Sequence, residues 1–399
     1  MKSSDEKKVL FVSGRFPFPL HKGDQLVLFN NIRLVSQKYK VTLITFYDNE
    51  SELENLHKIK KYCEKVVLIK RFAIFSYINI IFSIFRLEPM QVSYYRSGLF
   101  KKKLNLLLSV DRFDLIHVYM LRMAHYVKDI PTPKVIGLID SMHLNMSRRA
   151  LNETGLKKVI FKYEAWLLKS YEKKCIEWFD RGVVVSRVDK MHINNSDIKV
   201  IPVGVSVQER DNYKHSKTII FTGNMGYFPN QDAVKWFIDN CLKLIIKKIP
   251  EISFVVVGKN PPQSLERLND NKNIFVKGFV KSIQCEMQGA TISVAPMQSG
   301  SGMQIKILES MASSLPVVTT TIGLGDIKAK NGESILVAET AEEFSFKCLL
   351  LLTNINQRTA ISNSALDYVK KNHSWNNIKN KYLNLYEEAT SSYNNKSLL

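Results

Sequence analysis

The stretch PMQSGSGMQIKILESMASSLPVVTT, residues 296–320, contains a glycine loop, an apolar helical pattern and a short apolar run, in that order. Gly300 and Gly302 lie in the polar loop, and the helical pattern after them carries Lys306 and Glu309. The last run, which follows a proline, is typical of a buried strand. A glycine loop that opens a helix beside such a strand indicates an α/β fold, and it places backbone N–H groups where they can bind an anion.

The same alternation of apolar runs and helical patterns extends along the whole chain. Residues 8–48 contain an apolar run, a glycine-bearing loop, a helical pattern and a second apolar run, which together predict a βαβ unit and a parallel sheet. Further strands are predicted in the first half at 65–70, 115–120, 134–140, 181–186 and, as strand or link, 198–205. In the second half we predict strands at 217–225, 252–258, 274–280, 290–296 and 315–321. Continuous apolar runs favour parallel sheets that are covered on both faces.

The length and the position of one polar segment predict the domain organisation. A chain of 399 residues is expected to form two or three domains. The segment 205–216 has no helical or strand pattern and marks the boundary. We therefore predict a first domain over 1–208, a second over 209–378, and over 379–399 a closing helix, packed back toward the first domain, with a disordered tail. Two doubly wound, Rossmann-like domains would face each other across a cleft, with ligands at the carboxyl ends of their strands.

Charge and cysteine content narrow the function classes. The net charge is +20, from 57 Lys+Arg against 37 Asp+Glu, and favours anionic partners such as nucleic acid, membrane surfaces or phosphorylated substrates. The sequence contains no zinc-finger spacing or RNA-binding aromatic motif, so we expect no nucleic-acid partner. The five cysteines form no CxxC pair and indicate reduced thiols in a cytosolic protein. The amino-terminal apolar run is too short for a signal peptide, and no stretch reaches the roughly 18 apolar residues of a membrane span.

The charged pair in the opening stretch has two interpretations. Backbone amides, the helix dipole and Lys306 suit a phosphate, while the carboxylate of Glu309 suits sugar hydroxyls such as those of a nucleotide ribose. This interpretation predicts a nucleoside diphosphate site. The alternative is a surface helix with a weak Lys/Glu pair at i, i+3. The pattern alone does not decide between them.

Several motifs in chain order resemble the family 4 glycosyltransferases, which are retaining enzymes of the two-domain GT-B fold. GSGMQIKILESMASSLPVV resembles their nucleotide-sugar motif, and GRFPFPLHKGDQ resembles their first glycine loop. The pieces HKGD (21–24), YYRS (94–97) and GYFPNQDA (226–233) are similar to those of sugar transferases from bacterial polysaccharide clusters. The resemblance covers most of the chain and implies an α/β GT-B fold, with the donor in the second domain.

The resemblance also implies roles for particular residues, although two positions depart from the family pattern. Ser301 stands where the family has a first glutamate, and Asn224 stands where it has an arginine, so the diphosphate charge would fall mainly on Lys306. No metal cofactor is implied. The implied catalytic residues are Asp140, Lys306 and Glu309. The implied donor-binding residues are Gly23, Gly223, Asn224, Val280, Ser301, Gly302, Met303, Gln304, Lys306 and Glu309.

Single residues in the first half have alternatives of their own. Asp140 follows a predicted strand, where it would line the reaction centre or cap the next helix. His143 is a candidate for function or an ordinary helix-start histidine, and Arg96 with Arg148–Arg149 would contact an anionic acceptor or face solvent. His117 and His125 flank an apolar stretch and are predicted to be structural.

The basic, aromatic stretch 70–108 predicts contact with an anionic membrane, the alternative being a buried helix beside a solvated lysine run. The resulting prediction is a cytoplasmic, retaining hexosyltransferase, peripheral at the inner face of the membrane. It would transfer sugar from a nucleoside diphosphate to a polysaccharide or lipid-linked oligosaccharide, in synthesis of O-antigen (lipopolysaccharide), capsule or exopolysaccharide. The alternatives are a nucleotide-sugar 2-epimerase of GT-B fold and a non-catalytic nucleotide-sugar or lipid-binding protein.

Overall fold

The computed structural model describes residues 6–20, 23–151, 153–208, 216–300 and 303–397. The chain divides into two compact units. Unit 1 comprises residues 1–202 and 378–399, and unit 2 comprises residues 203–377. The division falls a few residues before the polar segment predicted as the boundary, and the end of the carboxyl-terminal helix belongs to unit 1.

Unit 1 contains a parallel sheet with strand order β3-β2-β1-β4-β5-β6-β7. Its strands are β1 (Lys8–Ser13), β2 (Lys40–Tyr47), β3 (Lys65–Lys70), β4 (Leu115–Tyr119), β5 (Lys134–Ile139), β6 (Arg181–Val184) and β7 (Ile198–Val200). The order reverses between β1 and β4, which pair directly. Ligands of doubly wound sheets bind in the crevice at such a reversal, so the segments that follow β1 and β4 become candidate site segments.

Unit 2 contains a second parallel sheet, with strand order β10-β9-β8-β11-β12-β13. Its strands are β8 (Thr218–Thr222), β9 (Ser253–Val257), β10 (Ile274–Gly278), β11 (Ile292–Ala295), β12 (Val317–Thr319) and β13 (Leu336–Val337). Here the order reverses between β8 and β11, which places the loop of the opening stretch, directly after β11, at the reversal. The two sheets confirm the predicted α/β fold with two doubly wound domains.

Helices connect the strands in both units. In unit 1 they are α1 (Gly23–Val35), α2 (Glu50–Leu53), α3 (Leu56–Lys60), α4 (Ala73–Arg86), α5 (Met90–Ser93), α6 (Gly98–Val110), α7 (Met142–Leu151), α8 (Gly155–Ile176) and α9 (Arg187–Ile193), with a 3₁₀ turn at Leu121–Tyr126. In unit 2 they are α10 (Phe228–Trp236), α11 (Lys243–Ile246), α12 (Gln263–Glu266), α13 (Ile283–Gly289), α14 (Ile305–Ala312), α15 (Thr321–Leu324), α16 (Ala341–Thr353) and α17 (Ile355–His373), with a π segment at Phe237–Leu242 and a 3₁₀ turn at Arg267–Asp270. The last helix, α18 (Trp375–Ser397), crosses from unit 2 into unit 1.

The apolar runs form strands because the helices cover both faces of each sheet. The central strand β4 is buried at every residue, whereas the edge strand β3 is buried only at Ile69. Side-chain caps fix several helix starts: Ser97 accepts a hydrogen bond from the backbone N–H of Phe100, and Thr340 accepts one from that of Glu343. Caps and burial together explain why the pattern located most elements within a few residues.

Three sequence-based predictions of local structure were wrong. The tail over 390–397, predicted to be disordered, continues α18, whose residues Ile378, Tyr382 and Tyr386 are buried at helical spacing. The predicted strand at 198–205 ends at Val200, since the segment after it leads out of unit 1. The helix predicted over 231–248 is divided by the π segment, and the pattern did not predict β13, which is only two residues long.

Candidate functional site

The reversal point of unit 2 brings the end of β8 close to the end of β9. A Cβ atom added at Gly258, where φ is +153°, would lie 1.6 Å from the carbonyl oxygen of Gly223, so only glycine fits this backbone contact. The N–H of Gly223 donates to the carbonyl of Val257 at 2.9 Å. A Cβ at Gly223 itself would lie 2.9 Å from the side-chain nitrogen of Asn230. The two glycines therefore allow Asn230 to approach the end of β8.

Asn230 in turn positions Lys306, the second residue of α14. The Nζ of Lys306 donates to Oδ1 of Asn230 at 2.5 Å, and it lies 4.4 Å from the ring centroid of Phe221. Among the residues that the structure describes, no carboxylate lies within ion-pair distance of this Nζ. Burial lowers the pKa of Lys306 to about 7. The sequence thus places a lysine at a helix start among neutral neighbours, where an anion would stabilise its charge.

Glu309 lies one turn further along α14 and is equally uncompensated. Burial raises the pKa of its carboxyl to about 7. Within the described ranges, the side chain makes no ion pair and no hydrogen bond, and no ion pair joins it to Lys306. The alternative of a surface Lys/Glu pair is therefore wrong. A half-buried cation and a half-buried carboxylate, each without an opposite charge, are typical of a site that a ligand completes.

The other predicted donor residues of unit 2 surround this pair to different degrees. Gly300 has φ of +125°, a conformation that favours glycine, and thus shapes the loop before α14. Met303 packs against the apolar cluster under α14, and Gln304 occupies the position before its first residue. Val280 packs against a separate apolar cluster. Ser301 and Gly302 lie outside the described residues.

Asn224 has a structural role at the end of β8. Its Oδ1 accepts a hydrogen bond from the N–H of Gly226 at 3.0 Å, and its carbonyl accepts one from the side chain of Asn230 at 2.9 Å. These bonds stabilise the turn into α10. The sequence interpretation did not single out Asn230, although the proline before it, at the start of α10, marks the helix start that positions its side chain.

Asp140 follows β5 in unit 1, at the carboxyl edge of the sheet. Nδ2 of Asn145 donates to its Oδ2 at 2.6 Å, and burial raises the pKa of its carboxyl despite that bond. The cap of α7 is Ser141, whose Oγ accepts from the N–H of Leu144 at 3.1 Å. The alternative that Asp140 caps the helix is therefore wrong, and its carboxyl is left for another role.

His143 is fixed by its neighbours in unit 1. Its Nδ1 is 2.8 Å from the carbonyl oxygen of Ala165, and its ring stacks on His192 with centroids 5.0 Å apart. Its backbone N–H donates to Glu172, a residue that the sequence interpretation missed. Burial raises the pKa of the Glu172 carboxyl to about 7, and the bonds from Ser141 and His143 lower it less. Together these contacts favour a structural role for His143.

The arginine and histidine candidates of unit 1 are largely occupied. Arg96 makes a bidentate pair with Glu88, with distances of 2.7 and 2.5 Å, so it is not a free acceptor contact. The guanidinium of Arg149 lies 4.4 Å from the ring centroid of Phe161. His117 is buried, with its pKa lowered to about 3 by burial, and its Nδ1 lies 2.7 Å from the hydroxyl of Tyr386. It is structural, as predicted.

Gly23 begins α1, where His21 and Lys22 of the predicted glycine loop lie outside the described residues. The neighbouring Asp24 pairs with Arg15 at 2.8 Å. Its donor role stays a prediction.

Helix α4 exposes apolar side chains instead of burying them. Its buried positions are Ser76 and Ser83, which lie on one stripe of the helix. The exposed apolar face of α4 comprises Phe72, Ile74, Phe75, Tyr77, Ile78, Ile81, Phe82, Ile84, Phe85 and Leu87. This arrangement is the reverse of a helix packed on a soluble core. The alternative that the stretch is a buried helix is wrong. None of the described helices combines the length and hydropathy of a membrane span.

Comparison with known proteins agrees with the geometry of unit 2. Residues 216–354 match the family model described as glycosyl transferases group 1. Over 388 residues the chain is 22% identical to an uncharacterized 44.6 kDa protein in the cps region of Klebsiella pneumoniae, covering 92% of this chain and 96% of that protein. The matched residues include Lys306 and Glu309, so the candidate site lies within the glycosyltransferase-like domain.

Solved structures with a similar fold cover nearly the whole chain. TarM superposes with a TM-score of 0.70 at 14% identity, covering 97% of this chain and all of TarM. Anabaena Alr3699/HepE in complex with UDP-glucose gives 0.65 at 13% identity, covering 96% and 99%. Sucrose-phosphate synthase from Thermosynechococcus elongatus gives 0.67 at 12% identity, covering 97% and 100%. The fold is that of the GT-B glycosyltransferases, and with the family match it supports a glycosyltransferase.

Proposed function

We propose that the protein is a retaining glycosyltransferase that uses a nucleoside diphosphate sugar. The observation that carries the proposal is the pair of uncompensated charges, Lys306 and Glu309, at the reversal point of unit 2. The structural neighbour Alr3699/HepE was solved with UDP-glucose, which supports the same class of donor for this chain. In this proposal the amides before α14 and Lys306 bind the diphosphate, and Glu309 accepts hydrogen bonds from the ribose.

The chemistry follows from where charge develops. As the bond between sugar and diphosphate breaks, negative charge grows on the leaving phosphate, and a fixed cation with helix N–H groups stabilises that state more than the bound substrate. Asp140, at the carboxyl edge of unit 1, is proposed to line the acceptor side of the reaction. Retention of configuration is proposed to proceed by front-face attack without a covalent intermediate or a metal ion.

The acceptor is proposed to be a growing polysaccharide or a lipid-linked oligosaccharide of the bacterial surface. The relative from a cps region supports polysaccharide synthesis, and the structure of S. aureus TarM with alpha-GlcNAc-glycerol and UDP gives an example of a saccharide product beside a nucleotide on this fold. Product analysis tests the reaction class: transfer of radiolabelled sugar to a membrane or polysaccharide fraction supports it, whereas release of an epimerised nucleotide sugar without an acceptor would establish a 2-epimerase instead.

The nucleotide-sugar affinity is expected to be bell-shaped in pH, with its maximum near pH 7. Because the pKa of Lys306 is about 7, the lysine loses its charge above neutrality and attracts the diphosphate less. Because the pKa of Glu309 is also about 7, its carboxyl gains a proton below neutrality and accepts hydrogen bonds less well. Calorimetry over neutral pH measures the profile, with a nucleotide sugar as ligand since its diphosphate does not titrate there.

Two variants assign the limbs of that profile. Lys306→Ala removes the alkaline limb, and Glu309→Gln removes the acid limb, while each leaves the other limb in place. A profile that is flat in the unmutated chain would contradict the assignment of both groups to the ligand.

We also propose that unit 1 docks on an anionic membrane through the exposed apolar face of α4. The nearby helix α6 presents Lys101, Lys102 and Lys103 on its exposed side, which supplies positive charge beside the apolar face. Apolar side chains that enter the interface and lysines that attract anionic headgroups are the two components of interfacial binding. This surface would bring the enzyme to an acceptor that is carried on a lipid.

Replacing Phe85 by serine should weaken binding to vesicles that contain anionic lipid. Phe85 is 81% exposed, so its loss removes apolar area from the interface without disturbing the core. Flotation with vesicles of phosphatidylcholine and phosphatidylglycerol measures the effect. Phe346→Ser is the matched control, since Phe346 is 63% exposed in unit 2. Equal flotation of the Phe85→Ser and unmutated chains would place the docking surface elsewhere.

A further inference from the structure

Three arginines surround Tyr95 at the carboxyl edge of the unit 1 sheet. The guanidinium carbons of Arg71 and Arg122 lie 4.7 and 5.0 Å from the centroid of the buried Tyr95 ring. Nη1 of Arg122 also donates to the Tyr95 hydroxyl at 3.4 Å. A Cβ atom at Gly14 would lie 2.9 Å from Tyr95 Cε1, so the glycine at the end of β1 allows the ring to pack there. Arg15 follows that glycine.

The arginines come from strands on both sides of the reversal point. Arg15 follows β1, Arg71 follows β3 directly, and Arg122 lies shortly after β4. A small cavity opens between the ends of β1 and β4, and it is lined by Ser13, Gly14, Arg15, Asp24, Gln25, Leu28, Tyr119, Met120 and Arg122. This is the crevice where doubly wound sheets bind ligands, and two of the three arginines line it.

The charges at this edge do not cancel. Arg15 pairs with Asp24 at 2.8 Å, and Arg71 pairs with Asp48 at 2.6 Å. Arg122 has no carboxylate within ion-pair distance among the residues that the structure describes. In addition, the buried Nη1 of Arg71 has no hydrogen-bond partner in that part of the chain. One guanidinium without a counterion and one buried donor without an acceptor remain to be satisfied.

The titration of two neighbouring groups reports the same excess of positive charge. Burial raises the pKa of Tyr95, but the charges of Arg122, Arg15 and Arg71 outweigh it and lower the pKa below the ordinary value. The pKa of Asp140 is raised mainly by burial, and Arg122 is among the groups that act to lower it. Arg122 is therefore within electrostatic reach of the carboxyl proposed to line the acceptor side.

A purely structural role explains only part of this arrangement. Packing Tyr95 requires neither a third guanidinium nor an unpaired buried donor, and both would be costly without an anion. Guanidinium groups match phosphate oxygens in charge and geometry, and several together suit a diphosphate. We propose that Arg15, Arg71 and Arg122 form a phosphate subsite in unit 1, which binds a phosphate or diphosphate carried by the acceptor. The word acceptor rests on the proposed function, whereas the anion site itself does not.

The test uses the full chain with Lys306→Ala, which disables the proposed donor site, and inorganic pyrophosphate as the probe. Calorimetry should detect pyrophosphate binding in this background. Adding Arg122→Gln should weaken that binding by about tenfold or more, because a charge-assisted bond is lost. Arg112→Gln is the matched control, since Arg112 is an exposed arginine of the same unit, and it should leave the affinity unchanged. Unchanged thermal unfolding verifies that each variant is folded.

The outcomes separate the subsite from the proposed function. Absence of pyrophosphate binding in the Lys306→Ala chain, or equal weakening by Arg112→Gln, overturns the subsite, while nucleotide binding by the unmutated chain still supports the transferase. If pyrophosphate binding depends on Arg122 but no nucleotide binds the unmutated chain, the anion site stands and the transferase fails. Farnesyl diphosphate distinguishes the sources: tighter binding than pyrophosphate assigns a lipid-linked acceptor, and equal binding assigns a phosphorylated saccharide.

Discussion

Lys306→Ala should lower the turnover of sugar transfer by about 100-fold or more, while the protein stays folded. The large effect is expected because the lysine is the cation that meets the leaving diphosphate, and the departures at Asn224 and Ser301 remove the usual polar contacts. The fold should tolerate the change because burial already disfavours the lysine charge, and its Nζ bonds only to neutral groups within the described residues.

Initial rates of nucleoside diphosphate release, measured with donor and a membrane fraction as acceptor, test this expectation. Lys235→Ala is the matched control, since it removes an exposed lysine from α10 of the same unit. Wild-type turnover in the Lys306→Ala variant, or an equal loss in the control, would contradict the diphosphate role.

Gly258→Ala should destabilise unit 2 by roughly 3 kcal/mol or more. The added Cβ would meet the backbone oxygen of Gly223 at 1.6 Å, and φ at this position is +153°. Neither strand can move away easily, since β8 and β9 pair along their full lengths in the middle of the sheet. The strain would also displace Asn230 and, through it, Lys306.

Calorimetric unfolding of the full chain measures this change, because a domain of this size should lose roughly 6–12 °C in Tm. The matched control is Gly289→Ala, at the end of α13, where an added Cβ meets nothing within 4 Å. An unfolding transition of unit 2 at the wild-type temperature in Gly258→Ala would show that the backbone contact is absent in solution.

The sequence predicted the sheets well because parallel strands have a strong signal. Runs such as 65–70 and 252–258 are apolar, continuous and bounded by polar or glycine residues, and each became a strand within one residue of prediction. The short β13 was missed because two residues carry no periodicity. The disordered tail was wrong because Asn and Ser in α18 hide the spacing of its buried Tyr382 and Tyr386.

The candidate site was predicted in its charged residues but not in its supporting ones. A glycine loop before a helix located Lys306 and Glu309, whereas the role of Asn230 depends on a contact between segments 76 residues apart. The arginines around Tyr95 lie even further apart in sequence and come together only because strand order reverses between β1 and β4. Local patterns carry no information on such contacts.

The most direct test of the nucleotide-sugar site is thermal unfolding in the presence of UDP-, GDP-, CMP- and dTDP-sugars, with the Lys306→Ala variant in parallel. The account predicts that one nucleotide class raises the unfolding temperature of the unmutated chain and that the variant loses this rise. An unchanged unfolding temperature with every nucleotide, or an equal rise in the variant, would contradict a donor site at Lys306 and Glu309.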